Sequence, residues 1–536
     1  LTLSQFNNQG LTGTRGDIIL NARDGVTNGD AATLLADGQL TLNTAQADLG
    51  GALTGTQGAT LNATALTTRA GSVQSSQGDV NLSADTANLK GFLSADGNAA
   101  LTTQQLTTGN GSQTQGKNAL GISASEKADL AGKLVTPGTL TVQAGTLTNG
   151  AALGADNVDI TATSLTNSGA ITADDGLHVK AGTLQQQGSL SAQNQMTLEG
   201  QTLVNQGNVS GGNVGVNVTG SLTNQGTGVI SAGNGLTVTA PVVNNNGQLL
   251  AQTVGVNATG ISNNGLMQGN GGTTLTASTL TNGTQGQVLS GGTLGVQAGD
   301  TQNQGRLQGS QLTLTGNSLT NGGTALGTNG LNAQMQGDLA NSGSLLSSGD
   351  VTVNAATLEN SGQLLSDKTA TVTADHVSNT GQIQGDTLAL TANNADNSGN
   401  LIGLKGLTAQ LQQDLTNATS GKMLTQGALT VTAAHVTNNG NWQADSADVH
   451  AGQLDLNGAI QTASRANLDL TGALNTQAQG KIISTGLAIL QAANLNNQGN
   501  WSADNLTLTG GALTSSGGIS GVSAFAATLS GQLQVQ

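Results

Sequence analysis

The chain has no cysteine and no tyrosine, and only two prolines, three phenylalanines and two tryptophans among 536 residues. Zero cysteine removes disulfides, structural thiolate zinc and thiol catalysis together. Aromatic residues make up 1% and charged residues 8%, where an ordinary domain carries about 25% charged residues. The scarcity of large rings excludes a wide core and suits a narrow one filled by Ala, Leu and Val. No run approaches the ~18 apolar residues that a membrane-spanning helix needs. Leu1–Gly10 has neither a basic start nor an apolar stretch, so no signal peptide opens the chain, and the expectation is a processed protein or a fragment. The formal charge is −15 with 14 Lys and Arg, which disfavours nucleic acid and anionic membrane surfaces as partners.

What is abundant is Gly, 81 residues, together with Asn, Gln, Ser and Thr. Such a composition invites a reading of disorder. Disordered chains combine low hydrophobicity with high net charge; here charge is sparse, and Leu and Val recur at regular intervals. The regularity favours an ordered repeat, which is the first thing to look for in a long polar sequence.

From about residue 147 the repeat is plain. Units start at 165, 184, 203, 222, 243, 261, 280, 301, 319, 339, 358, 377, 395, 415, 436, 454, 474, 495 and 513, and read LTNSG, LQQQG, LVNQG, LTNQG and onwards. Asn holds the third position in 15 of these 19 units and Gly the fifth in 16. After the Asn-Gly turn comes a short apolar segment such as Gln363-Leu364-Leu365, then a polar turn, then an alternating run such as Leu236–Ala240 (LTVTA), Val351–Ala355 (VTVNA) or Leu388–Ala392 (LALTA). Alternation with period two is a strand signal. A single unit of about 20 residues cannot bury its own apolar face, whereas stacked units pair each strand with its equivalent in the next coil. The expected fold is all-β: a right-handed parallel β-helix of about 20-residue coils, the hand following from the rule for parallel crossovers. Roughly 27 coils at about 4.8 Å would give a rod of about 130 Å.

The Asn column predicts a ladder of side-chain amides stacked along the axis, formed by Asn167, Asn205, Asn224, Asn245, Asn263, Asn282, Asn303, Asn321, Asn341, Asn360, Asn379, Asn397, Asn417, Asn438 and Asn497. The competing role for these residues is ligation of a metal or sugar. The Gly two residues later is expected to supply a turn with positive φ. The four 21-residue units, starting at 222, 280, 415 and 474, carry Gly two residues further on, at Gly228, Gly286, Gly421 and Gly480, so two extra residues are expected to enter at one corner as a local bulge. Three stretches follow: irregular β-helix coils at 1–146, where seven of the 14 Lys and Arg lie; regular repeats at 147–512; and terminal coils of the same solenoid at 513–536.

The LTNxG…(I/L)xA…LTVxA unit, spanning at least 147–530, resembles the haemagglutinin repeats of filamentous haemagglutinin and of CdiA-type exoproteins of contact-dependent growth inhibition. The resemblance implies secretion through an outer-membrane two-partner-secretion transporter, display at the bacterial surface as a long filament, and either adhesion to a receptor on a target cell or delivery of a C-terminal toxin. The N-terminal secretion motifs of full-length members and a toxin segment are absent, which makes the chain look like an internal stretch of a larger exoprotein.

Other candidate chemistry is thin. His178 and His376 lie in or beside strand segments of distant coils, while His435 and His450, from neighbouring coils, could approach one another; solvated turn histidines are the reading and a metal site the alternative. Arg15-Gly16-Asp17 spells an integrin-type tripeptide, a speculative receptor site, yet Gln77-Gly78-Asp79 and Ser348-Gly349-Asp350 show the Gly-Asp to be a turn before a strand. Trp442 and Trp501 fill the same NWxAD slot, as large core residues or as surface aromatics. Asp174-Asp175 is an isolated acidic pair without basic neighbours. No calcium nonapeptide and no phosphate-binding loop occurs, and no cofactor, metal or enzymatic activity is expected.

Overall fold

The computed structural model describes all 536 residues and holds 47 strands and no helix. The chain divides into two compact units: Leu1–Ile261 with Gly265–Gly269, and Ser262–Asn264 with Asn270–Gln536. The division falls inside the 147–512 stretch that reads as one run of regular repeats. Each unit is an all-β parallel solenoid. In the first, Asp159 faces His178 and Leu40 faces Ala59; in the second, Thr352 faces Thr371 and Thr430 faces Asp448. Residues 513–536 continue the pairing, Leu513 facing Leu533.

The alternating run forms the longer strand of each coil and behaves as its pattern demands. Leu236, Val238 and Ala240 are buried, while Thr237 and Thr239 between them are exposed. Stacking places like residues above like, so each coil adds one layer of a few medium side chains to a narrow core, up to five in the coil that carries Leu203, Val209, Val214, Val216 and Val218. Burial of each Leu or Val contributes roughly 1.5–3 kcal/mol, and no single coil has enough of them to stand alone.

The corner glycines are needed for space and not for conformation. Only Gly71 and Gly111 have positive φ; the fifth-position glycines of the repeats do not, contrary to the expected turn. A Cβ on Gly362 would sit 2.1 Å from the carbonyl oxygen of Gly343, and one on Gly381 would sit 2.2 Å from that of Gly362. The backbones of successive corners touch, which leaves no room for a side chain. The two-residue insertions do enter at this corner. Each closes a tight turn, Gly228 N–H donating to Gln225 O at 2.7 Å, and Gly286, Gly421 and Gly480 donating to Gly283, Ala418 and Gln477 at 2.8 Å. The flanking strands keep register.

The stretch 1–146 follows a rule of its own. The corner position, held by Asn8 and Asn28 in the first coils and by Asn again from Asn149, is in between, coil after coil, Leu49, Thr68, Leu89, Thr108 and Leu130. Leu and Thr alternate, so the structural period is two coils. The hydroxyls of Thr68 and Thr108 accept two backbone N–H groups each from the next corner: Lys90 and Gly91 at 2.9 and 3.0 Å, Ala131 and Gly132 at 3.1 and 2.9 Å. Ser72 and Ser112 close the threonine-bearing corners by donating their hydroxyls to Arg69 O and Gly109 O, each at 2.7 Å.

Candidate functional site

The most extensive polar feature is the column of buried carboxamides. All fifteen Asn residues of the repeat position are 2% exposed or less. Where two Asn residues stack, the Nδ2 of one donates to the Oδ1 of the Asn in the next coil. In the second unit this runs without a break from Asn263 through Asn282, Asn303, Asn321, Asn341, Asn360, Asn379, Asn397 and Asn417 to Asn438, at 2.7 to 2.8 Å per step. Most of these amides also donate to a strand-start carbonyl of the following coil, as Asn341 does to Gln363 O at 3.0 Å and Asn360 to Gln382 O at 3.1 Å. The run stops at Leu456, opposite Asn438, and polar residues return with Thr476 and with Asn497, which donates to Ser515 Oγ at 3.2 Å. In the first unit Asn167 donates to Gln186 at 2.8 Å, Asn205 to Asn224 at 2.9 Å, and Asn224 to Asn245 at 2.8 Å. Three further members escape a count begun at 165: Asn8 donates to Asn28, and Asn149 to Asn167. Their LTN, VTN and FNN contexts are the signal that locates them. Buried at 2% exposure or less and bonded chiefly within the column, the carboxamides are shielded from an external ligand, the Asn205 Oδ1 being buried without a partner.

Arg15-Gly16-Asp17 lies at the turn into a strand. Asp17 Oδ1 accepts the Gln39 N–H of the next coil at 2.8 Å. Asp79 and Asp350 do the same for Asn98 and Thr369, at 2.7 and 3.0 Å. The aspartate of the tripeptide is thus a turn-stabilising acceptor, and Arg15 is the exposed remainder.

The four histidines sit in strands and not in turns. Each lies beside a carboxylate of an adjoining coil: His178 Nδ1 is 3.1 Å from Asp159, His376 Nε2 3.7 Å from Asp396, His435 Nε2 2.8 Å from Asp455, and His450 Nδ1 3.5 Å from Asp469. His435 faces Gln453 in the register and not His450. Around Asp455 a small polar cluster forms: Asn475 donates at 2.7 Å and Gln453 at 3.0 Å, with Asp414 at 4.0 Å from the far side of His435. Partial burial pushes the Asp455 carboxyl up, but the hydrogen bonds from Asn475, His435 and Gln453 outweigh it and hold the group below the usual aspartate range. No group of three or more His, Asp or Glu side chains is arranged to hold a metal ion.

Trp442 and Trp501 are fully buried. Their contexts match, but their polar edges do not. Trp501 Nε1 donates to Thr476 Oγ1 at 2.9 Å, whereas Trp442 Nε1 has no partner. One groove of unit two, of 630 Å³, is lined by residues such as Gln297, Asn317, Gln334 and Met335, with no titratable side chain, and another, of 640 Å³, has Asp469 on its wall. A groove of 480 Å³ in unit one, beside Pro137, has Asp96, Lys117 and Asp174 on its walls. The other half of the acidic pair, Asp175, accepts from Asn194 at 2.8 Å.

The haemagglutinin repeat family matches the chain at residues 1–44, 25–91, 122–210, 209–277, 268–326, 408–472 and 444–535. Among curated proteins, the chain is 33% identical over 275 residues to the tRNA nuclease CdiA of Escherichia coli (strain NC101) and 39% identical over 272 residues to the 16S rRNA endonuclease CdiA of Enterobacter cloacae subsp. cloacae. It is 33% identical over 242 residues to the deoxyribonuclease CdiA of Dickeya dadantii (strain 3937). These alignments take in 50%, 49% and 45% of this chain and 8%, 8% and 7% of those proteins, so the chain spans less than a tenth of the length of the relatives it matches. No solved structure matches the chain significantly. No helix is long and apolar enough to cross a membrane. The chain belongs to the haemagglutinin-repeat family, as a stalk-forming stretch of a filamentous-haemagglutinin or CdiA type exoprotein secreted to the bacterial cell surface.

Proposed function

We propose that this chain is a passive stalk in a contact-dependent inhibition exoprotein: it carries a receptor-binding region and a C-terminal toxin away from the producing cell and has no enzymatic role of its own. The observation that carries this reading is the self-contained chemistry of the coils. Most of the column's carboxamides are bonded to one another from coil to coil, and all four histidines lie beside a carboxylate of the same solenoid. The fifteen repeat-position asparagines, Asn167 to Asn497, serve in this reading as a structural ladder that fixes coil register. Nuclease names attach to the relatives as whole proteins, and in this proposal the nuclease activity of the parent exoprotein lies outside the repeats. The alternative is an adhesin whose lateral surface binds a receptor, with Arg15-Gly16-Asp17 as its most recognisable candidate; engagement of Asp17 in its turn leaves Arg15 alone to support it.

The experiment is a swap within the parent exoprotein. Replacing this chain by an unrelated parallel β-solenoid with the same number of coils leaves target binding and growth inhibition intact if the chain is a stalk. Loss of target-cell binding, with secretion retained, overturns the stalk reading in favour of a lateral adhesin.

A further inference from the structure

The short strand of each coil has four residues, of which the second and fourth point inward. In Ser344–Ser347 and Gln363–Ser366 the buried residues are Leu345, Ser347, Leu364 and Ser366, and the third residues, Leu346 and Leu365, face outward and are partly exposed. Register stacks these third residues into one outward column within the second unit: Leu326, Leu346, Leu365, Gln384, Ile402 and Leu424. Five of the six are aliphatic. The fold does not require this. In the first unit the same outward position is Ser191, Ser210 and Ser231 in successive coils, and the coils form equally well. The neighbouring outward column is Thr324, Ser344, Gln363, Gln382 and Asn400, uncharged throughout, and is bordered by Arg306 and Lys422 in the coils before and after.

We propose that this aliphatic stripe docks a second copy of the chain, side by side. The first reason is charge. The chain carries −15 overall, so two copies repel except where a face has little net charge; the two outward columns are uncharged over five coils, and beside them Asp367 and Asp386 are balanced by Lys368 and Lys405, the last paired with Asp386. The second is periodicity. A row of aliphatic side chains repeating at about 4.8 Å is matched along its whole length only by a surface with the same rise, and a copy of this chain supplies one. Side chains of two such sheets interdigitate at a sheet separation of about 10 Å. The third is area. Six coils of about 4.8 Å and a four-residue strand of about 13 Å give roughly 400 Å² per copy, near 800 Å² in all, which places the contact among weak, reversible interfaces. Such a contact gains strength when many copies are tethered side by side on one surface.

Sedimentation equilibrium of the purified chain tests this. The expected result is a weight-average mass that rises from monomer toward dimer between about 10 µM and 1 mM and rises further with added salt, because screening weakens the repulsion between two acidic copies. The double variant Leu346→Ser with Leu365→Ser places at this position the residue the first unit already uses; it is expected to melt like the parent and to stay monomeric. A cysteine scan supplies a second measurement, since the chain has no native cysteine: under mild oxidation Leu346→Cys gives disulfide-linked dimers, and Thr352→Cys on the longer strand does not. A parent chain that remains monomeric throughout the range, a double variant that associates like the parent, or equal cross-linking at the two cysteine positions would each overturn the proposal.

Discussion

Replacing Asn360 by Ala should open the second solenoid unit locally, and the cost follows from its bonds. Asn360 accepts from Asn341 Nδ2 and donates to Asn379 Oδ1, both at 2.8 Å, and donates to Gln382 O at 3.1 Å. At about 1 kcal/mol net per bond, three lost bonds cost about 3 kcal/mol. Asn341 keeps Gln363 O as an acceptor, so the residue left in difficulty is Asn379, whose Oδ1 loses its donor. Leu in place of Asn fills the volume and should cost less than Ala, because the natural column already carries Leu456 above Asn438. Asp should be the worst at neutral pH. It sets an anionic acceptor against the Asn379 acceptor at a site only 1% exposed, and burial raises its pKa. Stability of N360D is therefore present at low pH, where the acid donates a hydrogen bond, and is lost as pH rises. Hydrogen exchange is the suitable assay, because coils couple chiefly to their neighbours. The reporters are the amides of Ser361 and Gly362, which bond to Asn341 O, and of Thr380 and Gly381, which bond to Asn360 O. Three kcal/mol corresponds to about a hundredfold faster exchange at these four amides, with peptides around Asn205 unaffected. Unchanged exchange at residues 361–381 in N360A, or N360L as damaging as N360D at neutral pH, would refute the reasoning.

Three further outcomes follow from the same geometry. Gly362→Ala brings a Cβ to 2.1 Å from Gly343 O; the corner must separate, and melting should fall by several degrees while a Ser361→Ala control leaves it within a degree or two (about 0.5 kcal/mol). The two tryptophans should respond differently to Phe: W501F breaks the bond to Thr476 and costs about 1–2 kcal/mol, whereas W442F removes an unpartnered N–H and is neutral or slightly stabilising in denaturant titrations. The depressed Asp455 carboxyl contributes stability that is complete above its unfolded value of about 3.9 and is lost as pH falls through the lower folded value. Melting of D455N between about pH 6 and pH 2 should accordingly show a shallower acid decline than the parent, and an identical decline would count against the cluster.

Much of the architecture was legible in the sequence because a solenoid repeats its instructions. Period-two alternation in LTVTA and VTVNA placed Val351 and Val353 inward, and the recurring Asn marked the corner. What escaped did so for physical reasons. The Gly after the Asn looked like a left-handed turn residue, yet its constraint is a neighbouring coil 18 to 21 residues away in sequence, which local reasoning cannot see. The 1–146 stretch looked irregular because Thr68 and Thr108 perform with a hydroxyl, in every second coil, the capping that Asn performs later. In Gln363-Leu364-Leu365 the sequence offers two adjacent leucines without saying which one faces out; only the register shows that Leu365 joins Leu346 and Leu326 on the surface. The carboxylate partners of the histidines are not legible locally, because they belong to other coils.

The central claim is that the chain is built from interchangeable coils in fixed phase, and deletion tests it most directly. Asn341, Asn360 and Asn379 are equivalent corner residues, stacked by their carboxamides. Removing residues 342–379 joins two equivalent positions and keeps phase; removing residues 342–370 joins a corner to the interior of a strand. The account predicts that the first variant keeps the β-sheet circular dichroism signal per residue and the melting temperature of the parent, and that the second melts well below it. Equal stability of the two variants, or collapse of the in-phase one, would contradict the stacked-coil account.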